Sequence, residues 1–368
     1  MKTIAKMHLL VDEDGSKRLL DTMEAFNAAC NEIAETCFAE QTASKYTIQS
    51  LVYHNIREKY GLSAQLTIRA IAKTCEAYKI NKAVKPTFKK HGSITYDSRI
   101  LTFKGLHLQH PQVSITTLEG RQLYNLNICA YFAGRTNRVQ GQVDLVYRKG
   151  KFFLYATCDM PEDTHLEPDD VLGVDLGVKN IAVDSDGKVF SNEKVEQVRQ
   201  RKHKQRQRLQ SKGTKSAKRK LKRVSGKEHR FRTNENHRIS KHLVEKAKDS
   251  KRAIALEDLT HINSRTTVRK SQRSERLSWA FYQLKNFITY KAGLKGVPVV
   301  LVDPRHTSQR CHACSHTEKA NRKSQSEFCC RSCGHTDHAD LNGAKNIRTK
   351  GQSSTCLLAS ANTLLKSA

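Results

Sequence analysis

The sequence predicts a multidomain fold of the α/β plus β class, on three observations. Its 368 residues are enough for two or three domains. Helix-spaced apolar residues and then short β-branched and aromatic runs fill the first half of the chain, whereas strands alternate with helices in the second half. Two Cys-x2-Cys pairs near residue 320 mark a small ribbon inside the second half.

The first half is predicted to be a β domain with a helical insertion. Residues 3–11 have the pattern of a strand, and from 19 to 79 apolar residues recur every three or four positions, with two later helices around 48–60 and 64–78. Residues 95–160 hold short strand-like runs separated by Gly, Asn and Asp. We therefore expect a β-barrel formed by 1–15 and 93–167, with helices over 16–92.

The second half is predicted to be an α/β domain that begins near Pro168. The segment VLGVDLGVKNIAVDSDGKVF predicts two strands joined by a turn, and AIALEDL, a helix around 277–294 and VPVVLVDP continue the alternation. We expect this domain to cover 168–310 and 335–350, with the ribbon at 311–334 inserted. The polar residues 351–368 are expected to form a flexible tail.

The charge of the chain favours a polyanionic partner. Lys and Arg number 65 against 36 Asp and Glu, a formal net charge of +29, and phosphate contacts would relieve that repulsion. A membrane-surface role is disfavoured, since no lipidation motif or long amphipathic basic helix is evident. About half of residues 199–232 are Lys or Arg, which is either a solvated charge run or a basic helix or helical pair along nucleic acid. The candidate contacts are Arg199, Arg201, Lys202, Arg206, Lys218, Arg219, Lys220, Lys222 and Arg223.

The cysteines divide into scattered residues and a clustered set. The N-terminus is too polar for a signal peptide and no apolar run approaches ~18 residues, so we expect a cytoplasmic protein with reduced thiols. Six of the eleven cysteines are predicted to be small core residues: Cys30, Cys37, Cys75, Cys129, Cys158 and Cys356.

The clustered cysteines predict one structural Zn²⁺ ion. Cys311, Cys314, Cys330 and Cys333 form a C-x2-C-x15-C-x2-C frame, in which each tight turn presents two thiolates, and four thiolates leave no open position on a tetrahedral ion. Cys329 competes with Cys330 for the third position. His316 and His335 are less favoured ligands.

Three carboxylates predict a second metal centre. Asp175 lies in an apolar strand-like run, Glu257 lies at the polar end of another, and Asp340 begins a helix-like segment. Each has a simple structural explanation, such as a turn or a helix N-cap, but together they suit two Mg²⁺ or Mn²⁺ ions that support phosphodiester hydrolysis. Asp258 and Asp337 are the alternatives to Glu257 and Asp340.

These segments resemble the TnpB family of transposon-encoded, RNA-guided DNA endonucleases, which is related to the type V CRISPR effectors. GVDLGVKNIAV and IALEDLT resemble the first two motifs of its RNase H-like RuvC nuclease domain, and FCCRSCGHTDHADLNGAKNI resembles its second zinc knuckle and third motif. The resemblance implies that Asp175, Glu257 and Asp340 are catalytic and that the zinc ribbon binds target nucleic acid. Gly343 departs from the family, which usually has Ala there, and is expected to loosen the first helical turn.

The resemblance also implies the partners. It suggests that the barrel is a wedge domain and the helices a recognition lobe, which together hold a guide RNA derived from the transposon end, with one protein per RNA. Double-stranded target DNA would be cut beside a short adjacent motif, which Tyr46, Gln65 and Lys73 could contact, in the cytoplasm and at the nucleoid of a prokaryote. The alternatives are a compact type V CRISPR-like effector, a strand-joining transposase, and a zinc-ribbon DNA-binding regulator without catalysis.

Overall fold

The computed structural model describes residues 1–259 and 281–366, and only the helical backbone of 355–366. The chain divides into two compact units, Met1–Pro161 and Glu162–Ala368, close to the boundary predicted near Pro168. None of the described helices has the length and apolarity needed to cross a lipid bilayer.

The first unit contains a seven-stranded antiparallel sheet and helices that follow its first strand. Its elements are β1 (Lys2–Leu10), α1 (Glu13–Ala39), α2 (Lys45–Tyr60), α3 (Ala64–Ile80), β2 (Ile94–Tyr96), β3 (Leu101–Lys104), β4 (Gln112–Thr117), β5 (Gly120–Ile128), α4 (Ala130–Thr136), β6 (Val139–Arg148) and β7 (Lys151–Asp159). The helical insertion and the antiparallel sheet predicted from the spacing of apolar residues are confirmed.

The sheet of the first unit is nearly closed. Its strand order is β2-β6-β7-β1-β5-β4-β3, so the two edge strands, β2 and β3, are consecutive in the chain. The Tyr96 hydroxyl donates to the Thr116 carbonyl at 3.1 Å, and the Thr116 amide donates to the Ile100 carbonyl at 2.9 Å. The first bond links β2 to β4, and the second extends the β3–β4 ladder by one pair.

The helices of the first unit begin at side-chain caps and bury the predicted stripe. Asp12, Ser44 and Ser63 cap α1, α2 and α3, each accepting a bond from a backbone amide three residues on. The predicted apolar positions of α1 are all buried: Leu19, Met23, Phe26, Cys30, Ile33 and Cys37.

The second unit is an α/β domain with a ribbon. Its elements are β8 (Asp170–Asp175), β9 (Asn180–Asp184), β10 (Val189–Ser191), α5 (Glu193–Lys212), α6 (Lys215–Val224), α7 (Lys227–Asp249), β11 (Arg252–Glu257), α8 (Phe281–Leu294), β12 (Val299–Val302), a 3-10 turn (Lys319–Asn321), β13 (Glu327–Cys329), β14 (Thr336–His338) and α9 (Ala339–Lys366). The sheet order is β10-β9-β8-β11-β12. Strands β8, β11 and β12 are parallel, and β9 is antiparallel to β8.

Helix α9 covers one face of this sheet and α7 and α8 cover the other. Ile347 of α9 packs on alternate residues of the parallel strands, while the intervening residues face α7 and α8. Gly173 allows the closest approach, because a Cβ there would lie 2.1 Å from the Ala344 carbonyl oxygen of α9. Helix α9, which follows the ribbon, is thus in direct contact with β8.

Three expectations need correction. The tail predicted from 351 is wrong, because α9 continues to Lys366; Gly351 is buried against Val171 and Ala255, and the Leu and Ala residues beyond it are helix formers. The basic stretch forms parts of three helices, α5, α6 and α7, rather than one or two. Cys129 is exposed at the start of α4, whereas Cys30, Cys37, Cys75 and Cys158 are buried as predicted; the side chain of Cys356 lies outside the described residues.

Two further predictions concern elements of the second unit. The helix predicted around 277–294 is present from Phe281 to Leu294, and its first residues lie outside the described residues. The two strands predicted in the segment after Pro168 are β8 and β9, and the short β10 follows them.

Candidate active site

Two predicted carboxylates meet at one edge of the sheet in the second unit. Strands β8 and β11 run parallel with Leu256 paired to Val174, so Glu257 and Asp175, one residue further on, stand at the same level. Each acid comes two residues after a residue that faces α9. These residues are Gly173 on β8 and Ala255 on β11. The strand ends therefore direct Asp175 and Glu257 to the same side of the sheet.

Helix α9 brings the third carboxylate. Asp340 lies in its first turn and is buried, and the Asn180 side-chain amide donates to Asp340 Oδ2 at 2.8 Å. One turn later, a Cβ on Gly343 would lie 3.1 Å from Asp175 Oδ2. The absence of a side chain at Gly343 therefore leaves room beside Asp175, and the helix continues through this position without a break.

The three acids share one electrostatic environment. Burial raises the pKa of Asp175 well above its usual range, and the charges of Glu257 and Asp340 raise it further, against the opposing charge of Arg322. Burial also raises the pKa of Glu257, while a hydrogen bond from Thr307 and the charges of Lys350 and Arg322 act in the opposite direction. Without cations, the charges of Glu257 and Asp340 oppose the ionisation of Asp175.

Two partners orient the acids. The Thr307 hydroxyl donates to Glu257 Oε1 at 2.5 Å and also to the Pro304 carbonyl at 2.9 Å. Thr307 is itself buried. It fixes one oxygen of Glu257, as Asn180 does for Asp340.

Arg322 is a site residue that the sequence reasoning missed. Its guanidinium lies 3.6 Å from Asp340 Oδ1 and acts on the pKa of both Asp175 and Glu257. It comes from the loop between the two Cys-x2-Cys pairs. Nothing in the local sequence ANRKSQS distinguishes it from the other cations of the chain, because only the folded ribbon turns this loop toward Asp340.

The four predicted cysteines form a single cluster. Their sulfurs all lie within 4.8 Å of one another, with 3.8 Å between Cys311 and Cys333 and 3.5 Å between Cys314 and Cys330. Sulfurs bound at ~2.3 Å around a tetrahedral zinc ion lie ~3.8 Å apart. The donor set and its spacing therefore fit one zinc ion.

The two Cys-x2-Cys turns have the same backbone design. Cys311 donates its amide to the His316 carbonyl at 2.9 Å, and Cys330 donates to the His335 carbonyl at 2.8 Å. Cys329 is the last residue of β13 and lies outside the cluster, whereas Cys330 is part of it. His316 pairs with Glu318 at 3.2 Å, and neither it nor His335 joins the cysteines.

Two buried asparagines fasten α9 to the first cysteine turn. The Asn342 side chain accepts from the His312 amide at 3.1 Å and donates to the Arg310 carbonyl at 2.8 Å. Asn346 donates to the carbonyls of Thr307 at 2.9 Å and Arg310 at 2.6 Å. The segment that carries Thr307 and Cys311 is thereby held on the helix that carries Asp340.

The alternative acids have other partners. Asp258 lies 3.0 Å from the Lys285 ammonium, and Asp337 lies 2.8 Å from the Lys345 ammonium. Glu257 and Asp340, by contrast, act on the pKa of Asp175 through their charges. The geometry thus favours the preferred set over the alternatives.

The three acids are spaced more widely than the cysteines. Among the side chains that the structure describes, two groups of possible metal ligands have all their ligand atoms within 4.8 Å of one another. They are the four cysteines, and His312 with His335 and Asp337. The carboxylates of Asp175, Glu257 and Asp340 are not such a group, so they do not converge on one point.

The predicted nucleic-acid contacts on α5 and α6 differ in their freedom. Lys218, Arg219, Lys220, Lys222 and Arg223 are exposed on α6, whose Ala217 and Val224 are buried. Arg201 on α5 is also exposed. Arg199 is paired with Glu196 at 2.6 Å, Arg206 with Glu228 at 3.0 Å, and Lys202 donates to Gln205 at 3.3 Å. Helix α6 thus presents a compact cationic face.

The three contacts predicted on the helical insertion also differ. Tyr46 at the start of α2 is 89% exposed. Gln65 donates to Asp97 at 2.5 Å. Lys73 donates to the Ser93 carbonyl and lies over the rings of Phe26 and Phe88, and burial lowers its pKa. Lys73 therefore has a structural role within the first unit, and a role of all three in nucleic-acid recognition stays a prediction.

Two protein-family models match consecutive parts of the chain. Residues 155–263 match OrfB_IS605, described as "Probable transposase", and residues 281–347 match the "Cas12f1-like, TNB domain". The first match contains Asp175 and Glu257, and the second contains the four cysteines, Arg322 and Asp340.

Several curated proteins are similar in sequence. The "Putative RNA-guided DNA endonuclease InsQ" of Escherichia coli K12 is 32% identical over 222 residues, 55% of this chain and 54% of that protein. The "CRISPR-associated endodeoxyribonuclease Cas12f1" of Sulfoacidibacillus thermotolerans is 40% identical over 118 residues, 32% and 26% of the two chains. A TnpB-like protein of Methanocaldococcus jannaschii is 29% identical over 209 residues, 54% and 74%. The chain thus spans about half or less of the length of the Cas12f1 and InsQ relatives.

Solved structures share the fold. A Cas12f1 complex with guide RNA and target DNA aligns with a TM-score of 0.62 at 16% identity, over 90% of this chain and 82% of that one. The endonuclease Cas_phi3 aligns with a TM-score of 0.60 at 11% identity, over 95% and 92%. The family matches and the TnpB-like relative confirm the resemblance to the TnpB family: a segment that matches the OrfB_IS605 model is followed by one that matches the Cas12f1-like TNB domain.

Proposed function

We propose that this protein is an RNA-guided DNA endonuclease with a RuvC-type, RNase H-like nuclease domain. The observation that carries the proposal is the meeting of Asp175, Glu257 and Asp340, from three separate segments, at one edge of a sheet. A protein that only bound DNA would have no need of these acids, because burying carboxylates together costs free energy unless cations neutralise them.

The acids suit Mg²⁺ or Mn²⁺. Oxygen-only donors favour these ions, and three carboxylates that do not converge on one point suit two ions better than one. When bound, such ions activate water and stabilise charge on the phosphate during hydrolysis. Asp175, Glu257 and Asp340 would hold them, with Thr307 and Asn180 keeping the two outer carboxylates in position.

Arg322 is assigned to the scissile phosphate. A guanidinium can donate two parallel hydrogen bonds to phosphate oxygens, and this one stands 3.6 Å from Asp340. Occupation of the carboxylates by cations would weaken their attraction for Arg322. Its donors are then available to orient the DNA backbone beside the acids.

The remaining parts supply support and binding. The four cysteines would hold one structural Zn²⁺, which stabilises a ribbon with a core of only four buried residues in the described chain. The exposed cations of α6 suit the backbone of RNA or of an RNA–DNA duplex. The names of InsQ and Cas12f1 support guided cutting of DNA as the activity.

The test is guided cleavage by the natural complex. The protein would be expressed with its native flanking DNA, the co-purifying RNA sequenced, and the complex given Mg²⁺ and DNA that matches the variable end of that RNA. We expect matched DNA to be cut. Asp175→Asn should keep the RNA and lose cutting, whereas Asp249→Asn, at an exposed carboxylate at the end of α7, should cut normally. Undiminished cutting by Asp175→Asn would refute the site.

The Cas12f relatives favour a second candidate, a compact type V CRISPR-like effector. The same experiment separates the two, because the RNA would derive from a transposon end in one case and from a repeat array in the other. Joined rather than cleaved DNA ends would indicate a transposase instead.

A further inference from the structure

A second group of potential metal ligands lies beside the four cysteines. It consists of His312, His335 and Asp337, each of which places one ligand atom within 4.8 Å of the other two. His312 lies between Cys311 and Cys314, His335 follows the second cysteine turn, and Asp337 lies in β14. These residues are neighbours only because the ribbon is folded, and the proposed nuclease chemistry uses none of them.

Hydrogen bonds determine which ring nitrogen of His312 carries the proton. Asn342 Nδ2 donates to the Arg310 carbonyl, so Asn342 Oδ1 is the acceptor that faces His312. It lies 3.3 Å from His312 Nδ1, so that nitrogen carries the proton and Nε2 keeps a lone pair. An oxygen that holds one ring nitrogen of a histidine is the usual arrangement where the other nitrogen binds a metal ion.

His335 has a nitrogen without a partner. Its Nε2 is enclosed and makes no hydrogen bond within the described residues, although Asp337 Oδ2 lies 3.8 Å away. The rings of His335 and His312 meet edge to face with their centroids 4.5 Å apart. A buried polar atom left in this state calls for an ion or a water molecule.

Asp337 completes the group. Its side chain is 12% exposed, its Oδ1 accepts from the His338 amide at 2.8 Å, and its Oδ2 accepts from the Lys345 ammonium at 2.8 Å. Lys345 lies in the second turn of α9. Its ammonium group neutralises the Asp337 carboxylate and would compete with a bound cation.

We propose that His312, His335 and Asp337 form a second transition-metal site, distinct from the four cysteines, with Zn²⁺ as its first candidate. Two imidazoles and one carboxylate are a donor set that zinc accepts, and they leave a position for water. The ion would join the first cysteine turn to Asp337 of β14, which comes three residues before Asp340. It would therefore stabilise the start of α9.

Cobalt titration of the metal-free protein tests this site. With excess Mg²⁺ present to occupy the carboxylates, we expect two tightly bound Co²⁺ ions per chain, of which only one gives thiolate-to-cobalt charge-transfer absorption. His335→Ala should lose one ion and keep the charge-transfer band, which also shows that the ribbon is folded. His316→Ala, at an exposed histidine of the same ribbon, should keep both ions.

Lys345→Met gives a change in the opposite direction. Removing a positive charge beside the ligand oxygen should tighten the second ion by about tenfold, without altering the thiolate-bound one. A merely structural cluster would not gain affinity in this variant. Equal ion counts and identical spectra for wild type and His335→Ala, or no gain in Lys345→Met, would overturn the proposal.

Discussion

Asp175 is held in place by a fold that works against its charge. Burial and the charges of Glu257 and Asp340 all raise its pKa. In the unfolded chain the same carboxyl ionises at its ordinary pKa of ~3.9. The folded state therefore binds a proton more readily than the unfolded state, and this difference weakens the metal-free protein as the pH rises between the two pKa values.

The first prediction follows from that difference. In a chelating buffer, the free energy of unfolding should increase as the pH falls from the raised pKa of Asp175 toward the ordinary carboxyl pKa of ~3.9. Asp175→Asn should flatten this dependence and stabilise the metal-free protein at neutral pH. Urea unfolding across a pH series measures both effects. An equally steep pH dependence in the variant would show that folding does not raise the pKa of Asp175.

Arg322 carries the second prediction. Because its guanidinium lies beside Asp340, Arg322→Ala should lower the cleavage rate by roughly 10²-fold while RNA binding is unchanged. Single-turnover cleavage separates this loss from any loss of DNA affinity. Arg322→Lys should recover part of the rate, since the charge remains and the two-pronged geometry is lost. Lys319→Ala, at an exposed cation of the same loop, is the matched control and should cut normally.

At the residue scale, chemistry was predictable where a residue conflicted with its surroundings. Asp175 and Glu257 end buried strands, and together with Asp340 they indicated a site. Arg322 and Thr307 gave no such signal, because an arginine in a polar loop or a threonine after a proline-containing turn is ordinary. Their roles depend on the ribbon and on the 303–310 segment reaching Asp340 and Glu257.

At the scale of elements, the contact between β8 and α9 positions two of the three acids. Gly173→Ala should lower the free energy of unfolding by about 3 kcal/mol or more and reduce cutting, because the new Cβ would lie 2.1 Å from the Ala344 carbonyl oxygen. Gly134→Ala in α4, where a Cβ meets nothing within 4 Å, should be neutral or slightly stabilising. Denaturant unfolding compares them, and equal stability would contradict the close approach.

Adjacent cysteines provide an internal comparison within the ribbon. Cys330→Ser should lose the zinc ion and make the ribbon susceptible to protease, because one of the four ligands is gone. Cys329→Ser should keep the zinc, since that side chain lies outside the cluster. Zinc content by mass spectrometry of the metal and limited proteolysis are the measurements. Loss of zinc in both variants would mean that the two thiols exchange.

Elements with an apolar period were predictable, whereas those dominated by charge were not. The spacing of Leu19, Met23 and Phe26 identified α1. The division of the basic stretch into α5, α6 and α7 could not be foreseen, because few apolar residues define a period there. The prediction ended α9 before 351 for a similar reason, because the Gly and Ser residues that follow resemble a linker. In the structure, Gly351 packs against Val171.

At the scale of the whole molecule, the net charge of +29 predicts binding that depends strongly on salt. Replacing Lys218, Arg219 and Lys222 by Gln should reduce the slope of log affinity for RNA against log salt by up to ~2, since each phosphate contact on a single strand contributes ~0.7. Replacing Arg238 and Lys241, already paired with Glu235 and Glu245, should change it less. Equal slopes would remove α6 from the interface.

The order of the acids along the chain has a consequence for synthesis. Asp175 and Glu257 are neighbours in the sheet but are separated by α5, α6 and α7, and Asp340 follows the entire ribbon. Because earlier segments fold first as a chain is made, the first unit can be complete while the cutting centre still lacks a member. A product that stops before the ribbon lacks Asp340, so under the proposed function it would not cut DNA.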